Sequence, residues 1–346
     1  MKYGYLLLLR WVTAFRSIPA PENISPGSRA DAARHEKEVI SPHRLQQRAD
    51  LLQAVRSFFR GRAYTEVDTP VRLPVLLPEI HIKPFSSEGW FLQTSPELCM
   101  KRLLAQGCRR LFQICHCFRK EEAGRYHQSE FTLLEWYHVG WGYAELMREC
   151  EEFVRFLVST CNELPGCAGQ DILRRGERTI SLAGPWERLS VQEAFRRYAR
   201  LPLAEALRQD LFDLLLVTEI EPHLGWQQPV FLYDYPTELA SLAKRRAEDP
   251  TVAERFELYI AGIELANGFS ELTDPVEQRQ RFAEQILRSQ AEGNAYAAMP
   301  ERFLADLGNL EETAGVALGL DRLMLLLLGC THVAEVIALP EHYLEE

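Results

Sequence analysis

Three glutamates stand seven residues apart near the carboxyl end of the chain, within FELYIAGIELANGFSEL: Glu257, Glu264 and Glu271. We expect strands at ERFELYI and IELANGF, joined by a hairpin that turns at Ala261-Gly262. Ile260 then faces Ile263, and Glu257 and Glu264 become diagonal neighbours on one face of the strand pair. Two carboxylates on one face, turned towards phosphates, indicate a Mg²⁺ site; a solvated polar strand face is the alternative.

A charged loop, FRKEEAGRYH (Phe118 to His127), lies between two apolar strands, LFQICHCF and EFTLLEWY. Arg119, at the end of the first strand, can clamp an α-phosphate with two hydrogen bonds. On the returning strand, Glu135 and Tyr137 share one face with Phe131. A Glu and a Tyr on one face can hold an ammonium group, and cross-strand pairing for structure is the alternative.

The segment GVALGLDRL (Gly315 to Leu323) indicates a strand that runs into a buried helix. Gly315 and Gly319 let a ligand approach the backbone, and Arg322 follows just inside the helix. The segment is neither a G-x-x-x-x-G-K-[ST] phosphate loop nor a dinucleotide-binding fingerprint, so it implies neither of those folds. The arginines and carboxylates together suggest a site that joins a nucleoside triphosphate to a cationic small molecule.

Strands and helices follow one another after residue 40 without an internal repeat or a linker. We predict an α+β domain over residues 41–346, built on an antiparallel sheet with helices packed on it. Motif-bearing strands are expected at YTEVDTPVRL, ending at Pro70, and at GWFLQTSPE, which delivers Ser95 and Glu97. Helices are expected at residues 41–62, 96–107, 143–161 and 275–290.

Residues 1–40 are predicted to form a loosely ordered extension. A signal peptide is one alternative, which Arg10 disfavours because it interrupts the apolar run, and an incorrectly assigned start codon is another. The net charge of −10 disfavours a broad nucleic-acid surface and fits a partner that presents positive charge.

The eight cysteines show no C-x-x-C repeat, which predicts reduced thiols in a cytoplasmic protein. The cluster Cys115-His116-Cys117, with Cys108 nearby, leaves zinc as an alternative. LFQICHCF is better explained as a buried strand, in which cysteine serves as a small apolar residue.

Together these residues resemble the catalytic domain of class II aminoacyl-tRNA synthetases of the lysine-specific type. YTEVDTP resembles motif one, FRKEE with RYHQSEFT resembles motif two, and GVALGLDRL resembles motif three. TSPE (Thr94 to Glu97) and ELANGFSEL resemble the lysine-specific pocket. The resemblance runs from about residue 45 to residue 340, and five motifs in order make it highly specific.

The resemblance implies ATP and Mg²⁺ as cofactors. An amino-acid carboxylate would attack the α-phosphate, giving an aminoacyl-adenylate and pyrophosphate, with catalysis mainly by positioning and charge neutralisation. The implied catalytic residues are Arg119, Arg322 and Glu264, and the implied Mg²⁺ ligands are Glu257 and Glu264. The residues implied for ATP are Arg119, Lys120, Glu121, Gln128, Phe131, Glu264, Leu265, Gly319 and Arg322.

The same resemblance implies a pocket for a lysine. Its residues would be Ser95, Pro96, Glu97, Glu135, Tyr137, Asn267, Glu271 and Ala317. Glu97 would contact the amino group near the carboxylate, and Glu271 and Tyr137, with Glu135, would receive the distal ammonium.

Lysyl-tRNA synthetases carry an anticodon-binding OB domain before motif one. An OB-fold needs five strands, and only about 40 unpatterned residues precede the first helix here. The chain therefore resembles more closely the free-standing paralogues that lysylate elongation factor P. Ala317 agrees with them, since they have Ala where synthetases have Gly, whereas Gln128 stands where they usually have Asn.

This resemblance implies elongation factor P as the acceptor, (R)-β-lysine or lysine as the substrate, and a homodimer formed through motif one around Tyr64 to Pro70. It implies neither tRNA charging nor a membrane partner. Two alternatives stay open: a truncated lysyl-tRNA synthetase-like enzyme that activates L-lysine, and a non-catalytic regulatory paralogue that binds lysine.

Overall fold

In a computed structural model of the protein, the structure describes residues 40–293 and 298–344. The extension predicted for residues 1–40 lies outside these ranges, apart from Ile40. Within them, no helix combines the length and the apolar character that crossing a bilayer requires.

The structure contains one large sheet and two small ones. In chain order the strands are β1 (Thr65–Glu66), β2 (Arg72–Leu73), β3 (Ser86–Ser87), β4 (Trp90–Leu92), β5 (Arg110–Phe118), β6 (Glu130–Val139), β7 (Ile172–Arg175), β8 (Arg178–Ser181), β9 (Glu187–Ser190), β10 (Val230–Pro236), β11 (Val252–Ile260), β12 (Ile263–Ser270) and β13 (Thr313–Gly319). The eight-stranded sheet has the order β1-β5-β6-β13-β12-β11-β10-β9. Its central pairs are antiparallel, and the pairs at its two ends, β1 with β5 and β10 with β9, are parallel.

Helices surround this sheet. The α-helices are α1 (Pro42–Gly61), α2 (Glu97–Ala105), α3 (Tyr143–Thr160), α4 (Val191–Tyr198), α5 (Leu203–Arg208), α6 (Phe212–Leu215), α7 (Pro275–Ala291), α8 (Glu301–Leu307), α9 (Leu320–Leu327) and α10 (Glu341–Leu344). A π-helical turn, Leu216–Ile220, and short 3₁₀ turns at Glu221–His223, Thr237–Leu239 and Val333–Val336 complete the set.

The two faces of the large sheet have different roles. One, which we call the core face, packs against α1, α3 and α9 in the largest apolar cluster of the described residues. Phe112 of β5, Trp136 of β6 and Val316 of β13 point into that cluster, where they meet Phe59 of α1 and Phe153 of α3. Because side chains alternate along a strand, their neighbours point the other way. We call that opposite side the site face.

Helix α1 starts and stops where its sequence indicates. The Ser41 hydroxyl accepts a hydrogen bond from the Arg44 amide at 3.3 Å, and Pro42 occupies the first turn, where its missing N–H costs nothing. Farther along α1, Nη1 of Arg48 lies 2.7 Å from Oδ1 of Asp321 on α9. The Asp321 carboxylate also accepts from the Thr132 amide of β6, so the motif-three helix is tied to both α1 and the sheet.

Most of the predicted elements are confirmed, including the helices α1, α2, α3 and α7 and the long strands β5, β6, β11, β12 and β13. The α+β fold is also confirmed, although the sheet is mixed rather than wholly antiparallel.

Two predicted strands are wrong in extent. The motif-one strand ends at Glu66 instead of Pro70 because β1 is an edge strand whose ladder with β5 lasts only two residues. Strand β4 ends at Leu92. Ser95 therefore lies in the short connection between β4 and α2, and Glu97 opens α2, since Pro96 has no N–H to continue a ladder but fits a helix start.

Candidate active site

The floor of the candidate site is a row of five side chains that crosses the middle of the sheet. Strand register pairs Gln113 with Glu135, Glu135 with Ala317, Ala317 with Asn267, and Asn267 with Glu257. Residues paired in this way across neighbouring strands share one face. The row therefore brings side chains of motif two, motif three and the glutamate segment together on the site face.

A β-bulge at Leu265 explains how the glutamates reach one face. The hairpin is as predicted, with Tyr259 opposite Glu264, but Leu258 is paired with Ala266, so Leu265 has no partner on β11. Leu265 and Ala266 both turn to the core face, where they are buried. Because of this extra residue, Asn267 and every second residue after it, up to Glu271, point to the site face. Without a bulge, an odd spacing of seven places side chains on opposite faces.

Glu135 is held at the centre of the predicted amino-acid pocket. The Ser95 hydroxyl donates to its Oε2 at 2.7 Å, and the Tyr137 hydroxyl donates to its Oε1 at 2.6 Å. Burial, and then the negative charge of Glu97, raises the pKa of Glu135 to about 8. A carboxyl with that pKa is largely protonated at neutral pH and can ionise when a cation enters.

Glu97 and Glu271 meet at a buried lysine. The ammonium of Lys101 contacts a carboxylate oxygen of each, and its side chain is only 2% exposed. It also lies 5.2 Å from the ring centroid of Phe269. Burial alone would lower the pKa of Lys101, but Glu271 and then Glu97 raise it above its usual value. Burial raises the pKa of Glu271 well above the usual range, and Lys101 opposes that shift.

A fourth carboxylate, Glu79, reaches the same pocket from the loop between β2 and β3. Burial, and then the charge of Glu97, raises its pKa to about 7, while Arg119, Arg255 and Lys101 oppose the shift. The pocket thus gathers four carboxyl groups around one buried ammonium. Such an excess of acid groups suits a ligand with more than one positive charge.

Two small residues of β13 give this pocket its depth. A Cβ atom at Gly315 would lie 2.2 Å from the Tyr137 ring and 2.7 Å from Oε1 of Glu271, so only glycine lets these two groups approach the strand. Ala317, two residues on, is partly exposed on the floor between Glu135 and Asn267.

The other end of the site carries the arginines. The Arg119 guanidinium lies 5.1 Å from the ring centroid of Phe131, and its Nε donates to the Thr94 carbonyl at 3.3 Å. Nη1 of Arg322 lies 3.3 Å from Oε2 of Glu264. Gly319 makes room for this arginine, since a Cβ there would lie 2.8 Å from its Nε.

His127 links these groups. Burial, and then the nearby charge of Arg322, lowers its pKa, while Glu122 and Glu264 oppose the shift and Arg119 adds to it. The lowered pKa disfavours a third positive charge beside Arg119 and Arg322, which pair with Glu122 at 3.6 Å and with Glu264 at 3.3 Å.

Glu257 is the most enclosed of the glutamates at this end. The hydroxyls of Tyr235 and Tyr259 donate to it, and Nη2 of Arg255 lies 2.7 Å from its Oε1. Tyr259 also donates to Glu221 at 3.0 Å. Burial, and then the charges of Glu264 and Glu257, raises the pKa of Glu221 to about 8.

Mg²⁺ fits this arrangement only if the protein and the phosphates of a nucleotide bind the ion together. The described residues contain no group of three or more His, Cys, Asp or Glu side chains that could hold a metal ion. Glu264, one-third exposed, and the neighbouring Glu257 can supply one or two carboxylate ligands. Mg²⁺ is commonly bound by one or two carboxylates together with substrate phosphates, so this pair fits the ion when a nucleotide is present.

The other predicted nucleotide residues lie around this end with different exposures. Lys120 is exposed, Glu121 pairs with Lys83 at 2.7 Å, and Gln128 is partly buried in the motif-two loop. The side chain of Leu265 lies in the core on the opposite face, so only its backbone can face a nucleotide. Pro96, predicted for the amino-acid pocket, caps the start of α2.

The cysteine cluster is a strand, as predicted. Cys117 is buried on β5, with its sulfur 3.8 Å from that of Cys115. His116 points to the other face, where Nδ1 lies 2.7 Å from Glu130.

Sequence reasoning missed several residues that the fold brings into the site: Glu79, Lys101, Gln113, His127, Glu221 and Arg255. A usable signal existed for Lys101, which stands at a core position of the apolar stripe Leu98–Lys101–Leu104 on α2. Gln113 stands within an apolar strand run, and both of its amide atoms are buried without a hydrogen-bond partner.

Comparison with known proteins identifies the family of the chain. The family model of the class II tRNA synthetases (D, K and N) matches residues 34–343. The chain belongs to this family of class II synthetases.

Its curated relatives are more specific. The chain is 40% identical over 307 residues to the elongation factor P–(R)-β-lysine ligase of Proteus mirabilis (strain HI4320), which covers 86% of this chain and 94% of that protein. Elongation factor P–(R)-β-lysine ligases of Salmonella arizonae and Edwardsiella ictaluri are each 39% identical over 305 residues, covering 85% of this chain and 94% of theirs.

Proposed function

We propose that this protein is an ATP-dependent ligase that activates (R)-β-lysine as an aminoacyl-adenylate and transfers it to a lysine side chain of elongation factor P. The relatives named above carry this activity in their names. The observation that carries the proposal in this chain is the pocket of four carboxyl groups beside two arginines.

The pocket matches the charges of a diamino acid. At neutral pH β-lysine has two ammonium groups and one carboxylate. Glu135 and Glu271 lie at one end with Tyr137, and Glu97 lies at the start of α2 beside them. Two ammonium groups can therefore be paired separately, while Arg119 offers a partner for the negative carboxylate or phosphate.

The arginine end matches a nucleoside triphosphate. Arg119 and Arg322 can neutralise phosphate oxygens, and Glu264 and Glu257 are the residues that would hold Mg²⁺ there. When bound, Mg²⁺ would neutralise phosphate charge and orient the chain of phosphates. Phe131 offers a flat apolar surface beside Arg119.

The chemistry then needs only positioning. A carboxylate oxygen of the amino acid attacks the α-phosphorus, the bond from that phosphorus to the bridging oxygen breaks, and pyrophosphate leaves. The amine of the acceptor lysine next attacks the carbonyl carbon of the adenylate, loses a proton, and releases AMP. Arg119 and Arg322 stabilise the charge on the transferring phosphate, and the carboxylates hold the amino acid in line.

L-Lysine is the second candidate substrate because the pocket pairs ammonium groups and both isomers carry two. The partly exposed Ala317 on the floor favours β-lysine. Its methyl group narrows the pocket near the reacting carboxylate, where the two isomers differ in the position of one amine.

We propose in addition that the protein acts in the cytoplasm as a homodimer formed through motif one, around Tyr64 to Pro70. The short strand β1 at the edge of the sheet is available for such a contact. Light scattering at micromolar protein concentration checks the dimer, and a monomeric mass would contradict it.

The test of the function is a pair of assays without tRNA. ATP–pyrophosphate exchange is measured with (R)-β-lysine, (S)-β-lysine and L-lysine, and elongation factor P is then analysed by mass spectrometry after incubation with each isomer and ATP. We expect exchange with (R)-β-lysine and the corresponding mass increase on elongation factor P. Exchange at background with every isomer would favour the non-catalytic regulator. Exchange that is strongest with L-lysine would favour the synthetase-like alternative.

A further inference from the structure

Lys101 is a buried cation that the proposed reaction does not use. It lies one helical turn after Glu97 on α2, among Leu98, Met100 and Leu104, which pack into the core. Its side chain is almost fully enclosed, yet it ends at two carboxylates rather than in solvent. The described structure thus places an internal lysine ammonium where the proposed function places a substrate ammonium.

We propose that Lys101 is a positioning residue of the amino-acid pocket, whose fixed positive charge contacts Glu97 and Glu271 and holds both carboxyl groups aimed at the pocket before a diamino acid enters. This inference rests on the proposed function, because it assigns those two carboxylates to the substrate.

The first reason is the charge balance of the pocket. Charged and ionisable groups face Lys101 from α2, from β6, from the end of β12 and from the loop before β3: Glu97, Glu135, Tyr137, Glu271 and Glu79. The charges of Arg119 and Arg255 also act on Glu79. Four carboxyl groups in one buried volume cannot all stay ionised without a cation, because like charges at short range drive protonation. Lys101 is the cation that touches two of them.

The second reason is that packing alone does not require this ion pair. A buried ion pair can often be replaced by apolar side chains without loss of stability, provided that all of its charged members are replaced together. The surroundings here would accept such a replacement, since Phe269 and the apolar residues of α2 line the same space. A lysine in this place therefore indicates a task for its charge.

The consequence is a specific effect on substrate affinity. Without Lys101, the carboxyl groups of the pocket would hold their protons more strongly, and an ammonium group would have to displace those protons on binding. The Michaelis constant for the amino acid would rise more than the turnover number falls. Its pH dependence would also move, because the carboxylates would ionise only at higher pH.

The test compares Lys101→Met, which removes the charge at similar volume, with Lys101→Arg, which keeps it. Pyrophosphate exchange is measured from pH 6 to 9 with the isomer that the wild type uses best. Lys244→Met is the matched control, because Lys244 also pairs with a glutamate, Glu312, at 3.0 Å, but lies exposed on the surface. Thermal unfolding of each variant reports on folding.

We expect K101M to raise KM for the amino acid at least about tenfold, as loss of one partner of a buried charge pair does. The rise of its kcat/KM profile should move upwards by about one pH unit or more, so that kcat/KM of K101M is still rising at pH 9. K101R should keep the midpoint near that of the wild type, because the midpoint depends on the positive charge at this position. A rise in KM caused by the larger arginine side chain would not change that expectation. K244M should match the wild type in both quantities.

An unchanged midpoint in K101M would overturn the proposal, and so would a K101R midpoint that moves as far as that of K101M. If K101M does not fold, Lys101→Gln carries the same test, because it removes the charge and keeps a polar group. Failure of the proposed function gives a different result: the wild type itself would then show no exchange with any lysine isomer.

Discussion

Gly315 offers the sharpest test of the pocket geometry. An added methyl group at this position would point to the site face and lie 2.2 Å and 2.4 Å from two carbon atoms of the Tyr137 ring. Carbon atoms normally meet at about 3.5–4.0 Å, so the ring would have to move by more than 1 Å. Tyr137 is 2% exposed and donates to Glu135 at 2.6 Å, so it cannot move freely.

The expected result of Gly315→Ala follows from what must shift. Tyr137 would be pushed away from the strand, its bond to Glu135 would break, and Glu271, 2.7 Å from the added carbon, would be displaced as well. A pocket change of one methyl group is worth roughly 1–3 kcal/mol of discrimination, or about 10- to 200-fold in kcat/KM. The loss should fall on KM for the amino acid, because the arginine end of the site is untouched.

The assay is pyrophosphate exchange at saturating ATP with varied lysine isomer, repeated with varied ATP. Gly61→Ala is the matched control, because a methyl group there meets nothing within 4 Å. Thermal unfolding separates a closed pocket from a lost fold, since overpacking costs about 1–3 kcal/mol of stability. A folded Gly315→Ala protein with the KM of the wild type would refute the pocket geometry.

Three further predictions concern other residues of the site, the first two by the same exchange assay and the third by calorimetry. Glu264→Gln should abolish adenylation while Glu271→Gln mainly raises KM for the amino acid, since removal of a buried charge partner costs about 2–5 kcal/mol; an unchanged KM in the second variant would show that Glu271 does not hold an ammonium. Ala317→Gly should raise kcat/KM for L-lysine relative to (R)-β-lysine, and an equal ratio in both proteins would remove Ala317 from isomer selection. Amino-acid affinity should rise from pH 6 to about 8, because the Glu135 pKa near 8 means that its proton must leave before an ammonium can bind; an affinity that is flat over this range by calorimetry would contradict that sign.

The parts of the fold that could be predicted from the sequence are those in which local signals agree. The hairpin at Ala261-Gly262 was predicted from turn chemistry, and the structure pairs Tyr259 with Glu264 as expected. Helix α1 was predicted over residues 41–62, and the structure has it at Pro42–Gly61. Each of these elements is specified by residues that are near one another in the chain.

The remainder depends on contacts that sequence spacing does not encode. The bulge at Leu265 depends on tertiary packing, because two successive apolar residues, Leu265 and Ala266, both pack into the core. Lys101 was missed because a lysine on a helix is ordinarily a solvent residue, and its partner Glu271 is remote in sequence. Glu79 comes from a loop without any periodic pattern.

The bulge at Leu265 also has a consequence for how this site can change over evolution. It separates Glu264, which we predict to face the phosphates, from Asn267, which we predict to line the amino-acid pocket. Under the proposed function, substitutions after the bulge can alter which amino acid is accepted without moving Glu264. Loss or gain of one residue between Glu264 and Asn267, however, would exchange the site face and the core face for every later side chain of β12. We therefore expect the length of this short segment to be more strictly maintained than its composition.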